Sequence, residues 1–164
     1  PWVESRTGTV LSDSQRHAVI TAIRSKITVI TGGPGVGKTT IVNSILQLVR
    51  SRSGSVALCA PTGRAAKVIS NYSGKPAHTI HKRIYFPKKS KGGGVSFTLQ
   101  QNKFKNTIFI VDESSMISDS YQETKLYENG SLLDDLMFYV DAGQNCKIIF
   151  IFFVDGSNQL QRPA

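Results

Sequence analysis

Acidic residues are missing from most of this chain. From Ser14 to Val111 there is no aspartate or glutamate, against sixteen lysines and arginines. Nine of the eleven acids follow, from Asp112 onward, alongside three bases. Residues 1–111 therefore carry a formal charge of +15 and the remainder −6, for a net +9. A basic half of this length suits a polyanionic partner, above all nucleic acid, or else is a solvated surface that is merely basic. Cysteine is almost absent as well. Cys59 and Cys146 are far apart in apolar surroundings, with neither metal-ligand spacing nor the pattern of a disulfide framework, and read as buried reduced thiols. No apolar run is long enough for a membrane span, and there is no internal repeat.

What is present alternates between two periods. LSDSQRHAVITAI at 11–23 places Ala18, Val19, Ala22 and Ile23 on one face behind Ser12 or Asp13 as N-cap, the pattern of a short helix. ITVIT at 27–31, SVALCA at 55–60, TIFIVD at 107–112 and KIIFIFFV at 147–154 are compact apolar runs suited to strands buried on both faces. Helices are expected from about Lys38 to Arg50, over 61–70 and over 132–140, while 118–130 is polar and loop-like. Strands alternating with helices predict an α/β fold, a parallel sheet with helices on both faces. At 164 residues the chain is expected to be one domain, 1–164, interrupted by a small inserted hairpin or loop at about 85–106. That insertion carries KKSKGGG and the alternating run VSFTL. Its aromatics, Tyr85, Phe86, Phe97 and Phe104, suit either a satellite core or stacking on bases.

Two segments carry chemistry. ITGGPGVGKTT at 30–40 has the spacing Gly32-x-x-x-x-Gly37-Lys38-Thr39 and lies between a predicted strand and a predicted helix. Gly33, Pro34, Gly35, Val36 and Gly37 form a loop whose glycines let backbone N–H groups turn inward onto phosphates, ahead of Lys38, Thr39 and Thr40 at a helix start. Lys38 is expected to reach the β and γ phosphates, and the Thr39 hydroxyl to bind Mg²⁺. A chance glycine-rich turn would not need that placement. IFIVDES at 108–114 ends a buried strand on Asp112 and Glu113. Asp112 is then a carboxylate near Thr39, the second-sphere partner of the metal, and Glu113 the group that polarises an attacking water. Without the loop, Asp112 would read as a turn cap and Glu113 as a surface acid. No Asn-Lys-x-Asp element for guanine is present. Gln15 suits hydrogen bonding to an adenine edge and equally a solvent-facing helix position.

In order, LSDSQRHAV, ITGGPGVGKTT, LCAPTGRAAKVIS, AHTIHKRI and IFIVDESSMIS resemble the motifs of superfamily 1 DNA helicases, nearest to the RecD-like branch. The resemblance implies a RecA-like phosphate-loop fold, the N-terminal of two motor domains, with ATP and Mg²⁺ as cofactors. It makes Gln15 the adenine-recognising glutamine, Lys38, Asp112 and Glu113 catalytic, and Thr39 and Asp112 the metal pair. It assigns single-stranded DNA contacts to Pro61, Thr62, Gly63 and Arg64, and to His78, Thr79 and His81. A turn after a strand can present N–H groups, a hydroxyl and a guanidinium to a phosphate, which agrees for the first set. The resemblance also implies a cytoplasmic location, a second RecA-like domain supplying an arginine, and other helicase-nuclease subunits as partners, with no membrane.

One motif departs from that pattern. Where such helicases read Gly-Asp-x-x-Gln-Leu-Pro-Pro, this chain reads FFVDGSNQLQRPA, with Asp155 and Gly156 in reversed order. Gln159 would be the γ-phosphate sensor. The chain is expected to be a fragment that binds nucleotide, hydrolyses it weakly and does not unwind DNA alone. The rival readings are a phosphate-loop ATPase on DNA that is not a helicase, and a nucleic-acid-binding module with an inactive nucleotide site.

Overall fold

The central strands are apolar on both faces, so each must be covered twice. The computed structural model describes residues 11–32, 37–89, 95–117 and 127–153. Along these run α1 (Asp13–Arg24), β1 (Ile27–Gly32), α2 (Lys38–Ser51), β2 (Ser55–Ala60), α3 (Gly63–Ser73), β3 (Ala77–Thr79) and α4 (Ile80–Ile84). The hairpin strands β4 (Tyr85–Lys89) and β5 (Val95–Leu99) follow, then β6 (Thr107–Val111), a 3₁₀ turn (Ser114–Met116), α5 (Leu132–Asp141) and β7 (Lys147–Phe153).

Five strands form one sheet in the order β1-β7-β6-β2-β3, with every neighbouring pair parallel. The register lines up Leu58, Ile110, Ile149 and Thr28 across the sheet. That row faces α1, α2 and α3, where Leu58, Ile110 and Ile149 pack with Val19, Val42, Ile45 and Ile69. The next row, Ala57, Phe109 and Ile148, faces the other way and packs with Ile80, Ile84, Leu136 and Tyr139. Alternate residues thus bury against opposite layers, which is why these strands are continuously hydrophobic. Phe109 is fully buried, and truncating such a ring typically costs about 3–5 kcal/mol. Both cysteines are free and buried in this second layer.

The fold agrees with the α/β expectation and adds a strand that periodicity could not show. β3 has three residues, too short and too polar for a pattern. It exists because the outer edge of β2 offers it partners, Leu58 with Ala77, Cys59 with His78 and Ala60 with Thr79. The hairpin is antiparallel, pairing Tyr85 with Leu99 and Phe86 with Thr98. Of its aromatics, Tyr85 is buried and Phe97 and Phe104 pack against the second layer, while Phe86 is 52% exposed. The core reading holds for the first three and leaves Phe86 open to solvent. Among the described residues no helix is long and apolar enough to cross a membrane.

Candidate nucleotide site and the turns beside it

Among the described residues, the motifs that follow a strand fall at the carboxyl edge of the parallel sheet. The phosphate loop follows β1, Pro61–Arg64 follows β2, His78 and Thr79 close β3, and Asp112 and Glu113 follow β6. This edge is where open α/β sheets bind ligands, because helix N-termini and strand-end loops converge there. Gly33, Pro34, Gly35 and Val36 of the loop, and Gln159, lie outside the described residues.

Gly37 precedes α2 in a left-handed conformation, φ 70° and ψ 39°. The backbone there favours glycine, and a Cβ would lie 2.3 Å from Gln15 Nε2, so any side chain would displace the Gln15 amide. The first turn of α2 contains no acid, and its backbone N–H groups have no intrahelical partners. Lys38 opens the helix and its ammonium donates to Asp112 Oδ1 at 3.1 Å, joining residues 74 apart in sequence. Asp112 is 1% exposed. Its carboxylate is held from two further directions. The Glu113 backbone N–H donates to Oδ1 at 2.8 Å, and the Tyr72 hydroxyl donates to Oδ2 at 2.9 Å. Three donors thus compensate the loss of water around this buried carboxylate. Burial, reinforced by the Asp112 charge, holds the Tyr72 hydroxyl well above its ordinary pKa, so it remains a donor.

Glu113 is also backbone-strained, at φ 56° and ψ 38°. A left-handed non-glycine residue costs on the order of 1–3 kcal/mol, a cost that recurs at functional sites. The turn beyond it is pinned by the Ser114 hydroxyl donating to the Val111 carbonyl at 2.8 Å. Thr39 is exposed and Thr40 half-buried, and both line a cleft with Asn43, Gln47, Arg50 and Ser73.

Gln15 is half-buried rather than solvent-facing. Its side-chain oxygen accepts from the Ser12 N–H at 3.0 Å while its own N–H donates to the Ser12 hydroxyl at 3.2 Å. This capping box starts α1 and fixes Gln15 beside Gly37. Gln15 and Lys38 line one hollow with Ala18, Ile30, Ile41 and Phe152.

The proposed DNA turns are built by helix capping. Thr62 accepts the Ala65 N–H at 3.2 Å and Thr79 accepts the Lys82 N–H at 3.2 Å, so both hydroxyls start helices. Pro61 is half-buried, whereas Gly63 and Arg64 are exposed. The two histidines part company. His78 is half-exposed in the middle of β3, and desolvation, with Arg83 and Lys82 nearby, lowers its pKa. His81 enters an aromatic cluster, with ring centroids 4.8 Å from Phe97 and 5.6 Å from Tyr85. Its Nε2 is 3.5 Å from the Tyr127 hydroxyl, and burial lowers its pKa. His81 thus ties the AHTIHKRI segment to the base of the hairpin. Among the described residues no group of three His, Cys, Asp or Glu could hold a metal. A cation at this site would be shared between one carboxylate, a hydroxyl and substrate phosphates, the usual arrangement for Mg²⁺.

Tyr72 was not foreseen. It lies just past the predicted helix, outside every motif, and only the packing of α3 against the sheet brings its hydroxyl to Asp112.

An α/β sheet with a lysine at a glycine-led helix start, paired to a buried strand-end aspartate, defines a phosphate-loop nucleotide-binding class. The chain belongs to the AAA domain family, whose model matches residues 15–148. Several curated proteins that it resembles carry helicase or RecD names. It is 32% identical over 111 residues to the ATP-dependent RecD2 DNA helicase of Deinococcus radiodurans, covering 67% of this chain and 15% of that protein. It is 32% identical over 129 residues to the RecBCD enzyme subunit RecD of Mycobacterium tuberculosis, covering 65% and 22%. It is 34% identical over 114 residues to the ATP-dependent DNA helicase dda of Enterobacteria phage T4, covering 65% and 26%. The chain thus spans a quarter or less of most of the curated relatives it matches.

Proposed function

We propose that this domain binds ATP with Mg²⁺ and that, within a longer helicase, hydrolysis to ADP and phosphate drives movement along single-stranded DNA. The observation that carries the reading is the Lys38–Asp112 pair at 3.1 Å, which brings the helix start and the buried carboxylate to one point. The donor set fits a magnesium nucleotide: the Thr39 hydroxyl and the Asp112 carboxylate are hard oxygen ligands, and Lys38 and the acid-free start of α2 attract phosphate. Bound there, Mg²⁺ would neutralise charge on the phosphate oxygens.

The chain's own residues have distinct roles in this reading. Lys38 exchanges its contact with Asp112 for the β and γ phosphates. The glycine loop from Gly33 to Gly37, with Pro34, Val36 and Thr40, cradles the phosphates. Gln15, held by its capping box beside Gly37, meets the adenine edge. Glu113, in its strained turn next to Asp112, accepts a proton from the attacking water. Gln159 senses the γ phosphate. Pro61 to Arg64, His78 and Thr79 face the DNA backbone, with the exposed Arg64 as the charged contact, and His81 supports them from the aromatic cluster. A second RecA-like domain contributes an arginine, and residues 1–164 form one motor unit with the hairpin as its insertion. Other helicase-nuclease subunits are the expected partners in a cytoplasmic protein.

The test is titration of a fluorescent ATP analogue with Mg²⁺ into the chain and into Lys38→Ala. The variant should bind at least about tenfold more weakly, the loss of one charge-assisted contact of about 1.4 kcal/mol or more. Equal affinity would support an inactive nucleotide site.

A further inference from the structure

We propose that Tyr72 is a positioning residue that fixes the orientation of the Asp112 carboxylate for the metal-bound nucleotide, an inference that rests on the nucleotide reading of this site. Asp112 Oδ1 receives the Lys38 ammonium at 3.1 Å and the Glu113 N–H at 2.8 Å. Oδ2 receives the Tyr72 hydroxyl at 2.9 Å. Once Lys38 engages a phosphate, the Glu113 N–H alone is a pivot about which the carboxylate can rotate. The Tyr72 hydroxyl supplies the second point and sets its plane.

The hydroxyl can do this because its own support is rigid. Tyr72 lies in the last turns of α3, whose Ala65, Ala66 and Ile69 are buried against the sheet, and its ring packs on that same core. The helix is fixed at both ends, by the Thr62 cap and by Gly74 in a left-handed C-cap whose N–H returns to the Ser70 carbonyl. The Asp112 N–H in turn donates to the Cys59 carbonyl at 3.1 Å, so the backbone beneath the carboxylate cannot follow a displaced side chain. A hydrogen-bonding partner of a metal-binding carboxylate typically changes metal affinity by about 10–100-fold when removed.

Tyr72→Phe keeps the ring and removes only the donor. The experiment titrates Mg²⁺ at fixed fluorescent ATP analogue into the chain, Tyr72→Phe, Asp112→Asn and the double variant. A parallel titration in EDTA and a circular dichroism spectrum accompany each. Tyr72→Phe should need about tenfold more Mg²⁺ for half-saturation, with analogue affinity in EDTA and the spectrum unchanged. In the Asp112→Asn background the same substitution should add nothing, because its partner is already altered. A side chain that merely supported packing would weaken binding equally with and without Mg²⁺, and that result overturns the proposal. So does an unshifted Mg²⁺ dependence in Tyr72→Phe when Asp112→Asn is shifted, an outcome that leaves the nucleotide site standing. If Asp112→Asn is unshifted too, the nucleotide reading falls and the Tyr72 proposal with it.

Discussion

Lys38→Met removes the ammonium at the start of α2 while leaving an apolar stem of similar length. In nucleotide-free protein this strands Asp112, whose side chain is 2% exposed, against 24% for Lys38. Breaking a fully buried pair from one side costs about 3–5 kcal/mol, and an exposed pair contributes about 0–1 kcal/mol. This pair lies between the limits, because the lysine keeps some water and the carboxylate keeps Tyr72 and the Glu113 N–H. The expected loss is about 2 kcal/mol, or about 4–8 °C in Tm for a domain of this size. Urea unfolding followed by circular dichroism measures it, with an unchanged m-value showing that the denatured state is the same. Lys38→Met combined with Asp112→Ala should lose less than the two single losses added, since no buried charge is then left uncompensated. A Lys38→Met protein within about 0.5 kcal/mol of the parent would refute the reasoning, because the ammonium would then contribute no more than an exposed pair.

Gly37→Ala should destabilise the domain by about 1–2 kcal/mol through its left-handed φ, and should weaken ATP-analogue binding because Gln15 must move from a Cβ built 2.3 Å from its Nε2. Arg64→Ala should leave Tm unchanged, since the side chain is exposed, while the salt dependence of binding to an oligo-dT strand becomes shallower by about one. Burial pushes the Cys59 thiol up to about 11 from 9.0, outweighing the nearby Arg83. Its contribution to stability is complete below pH 9 and is lost as pH rises to about 11, because the unfolded chain releases that proton first. Urea midpoints at pH 8 and pH 11 should therefore fall more steeply for the parent than for Cys59→Ala.

Local chemistry made the elements legible from the chain. β2, β6 and β7 are apolar runs buried on both faces, and α1 and α2 declare themselves by apolar spacing and their starts. β1 reads the same way in the sequence but is an edge strand, with Ile27 50% and Val29 58% exposed, because among the described residues only β7 flanks it. The Gly32-x-x-x-x-Gly37-Lys38-Thr39 spacing marks the phosphate loop because a helix N-terminus and unhindered backbone are needed around phosphate. β3 was illegible because three residues carry no period, and its strand conformation is supplied by β2. The separation of His78 from His81 was equally hidden. It depends on Phe97 and Tyr127 arriving from distant parts of the chain.

The sequence by itself determined which residues could bind phosphate and metal, since those requirements are steric and ionic and belong to a few adjacent positions. Tertiary structure alone decided how they meet. Sheet order places β7 between the strands that end at the phosphate loop and at Asp112, yet the shared carboxyl edge brings Lys38 and Asp112 to 3.1 Å. It also set Tyr72 on Asp112 and Gln15 against Gly37. Such contacts depend on the packing angle and register of whole elements, and no spacing within one segment of chain encodes them.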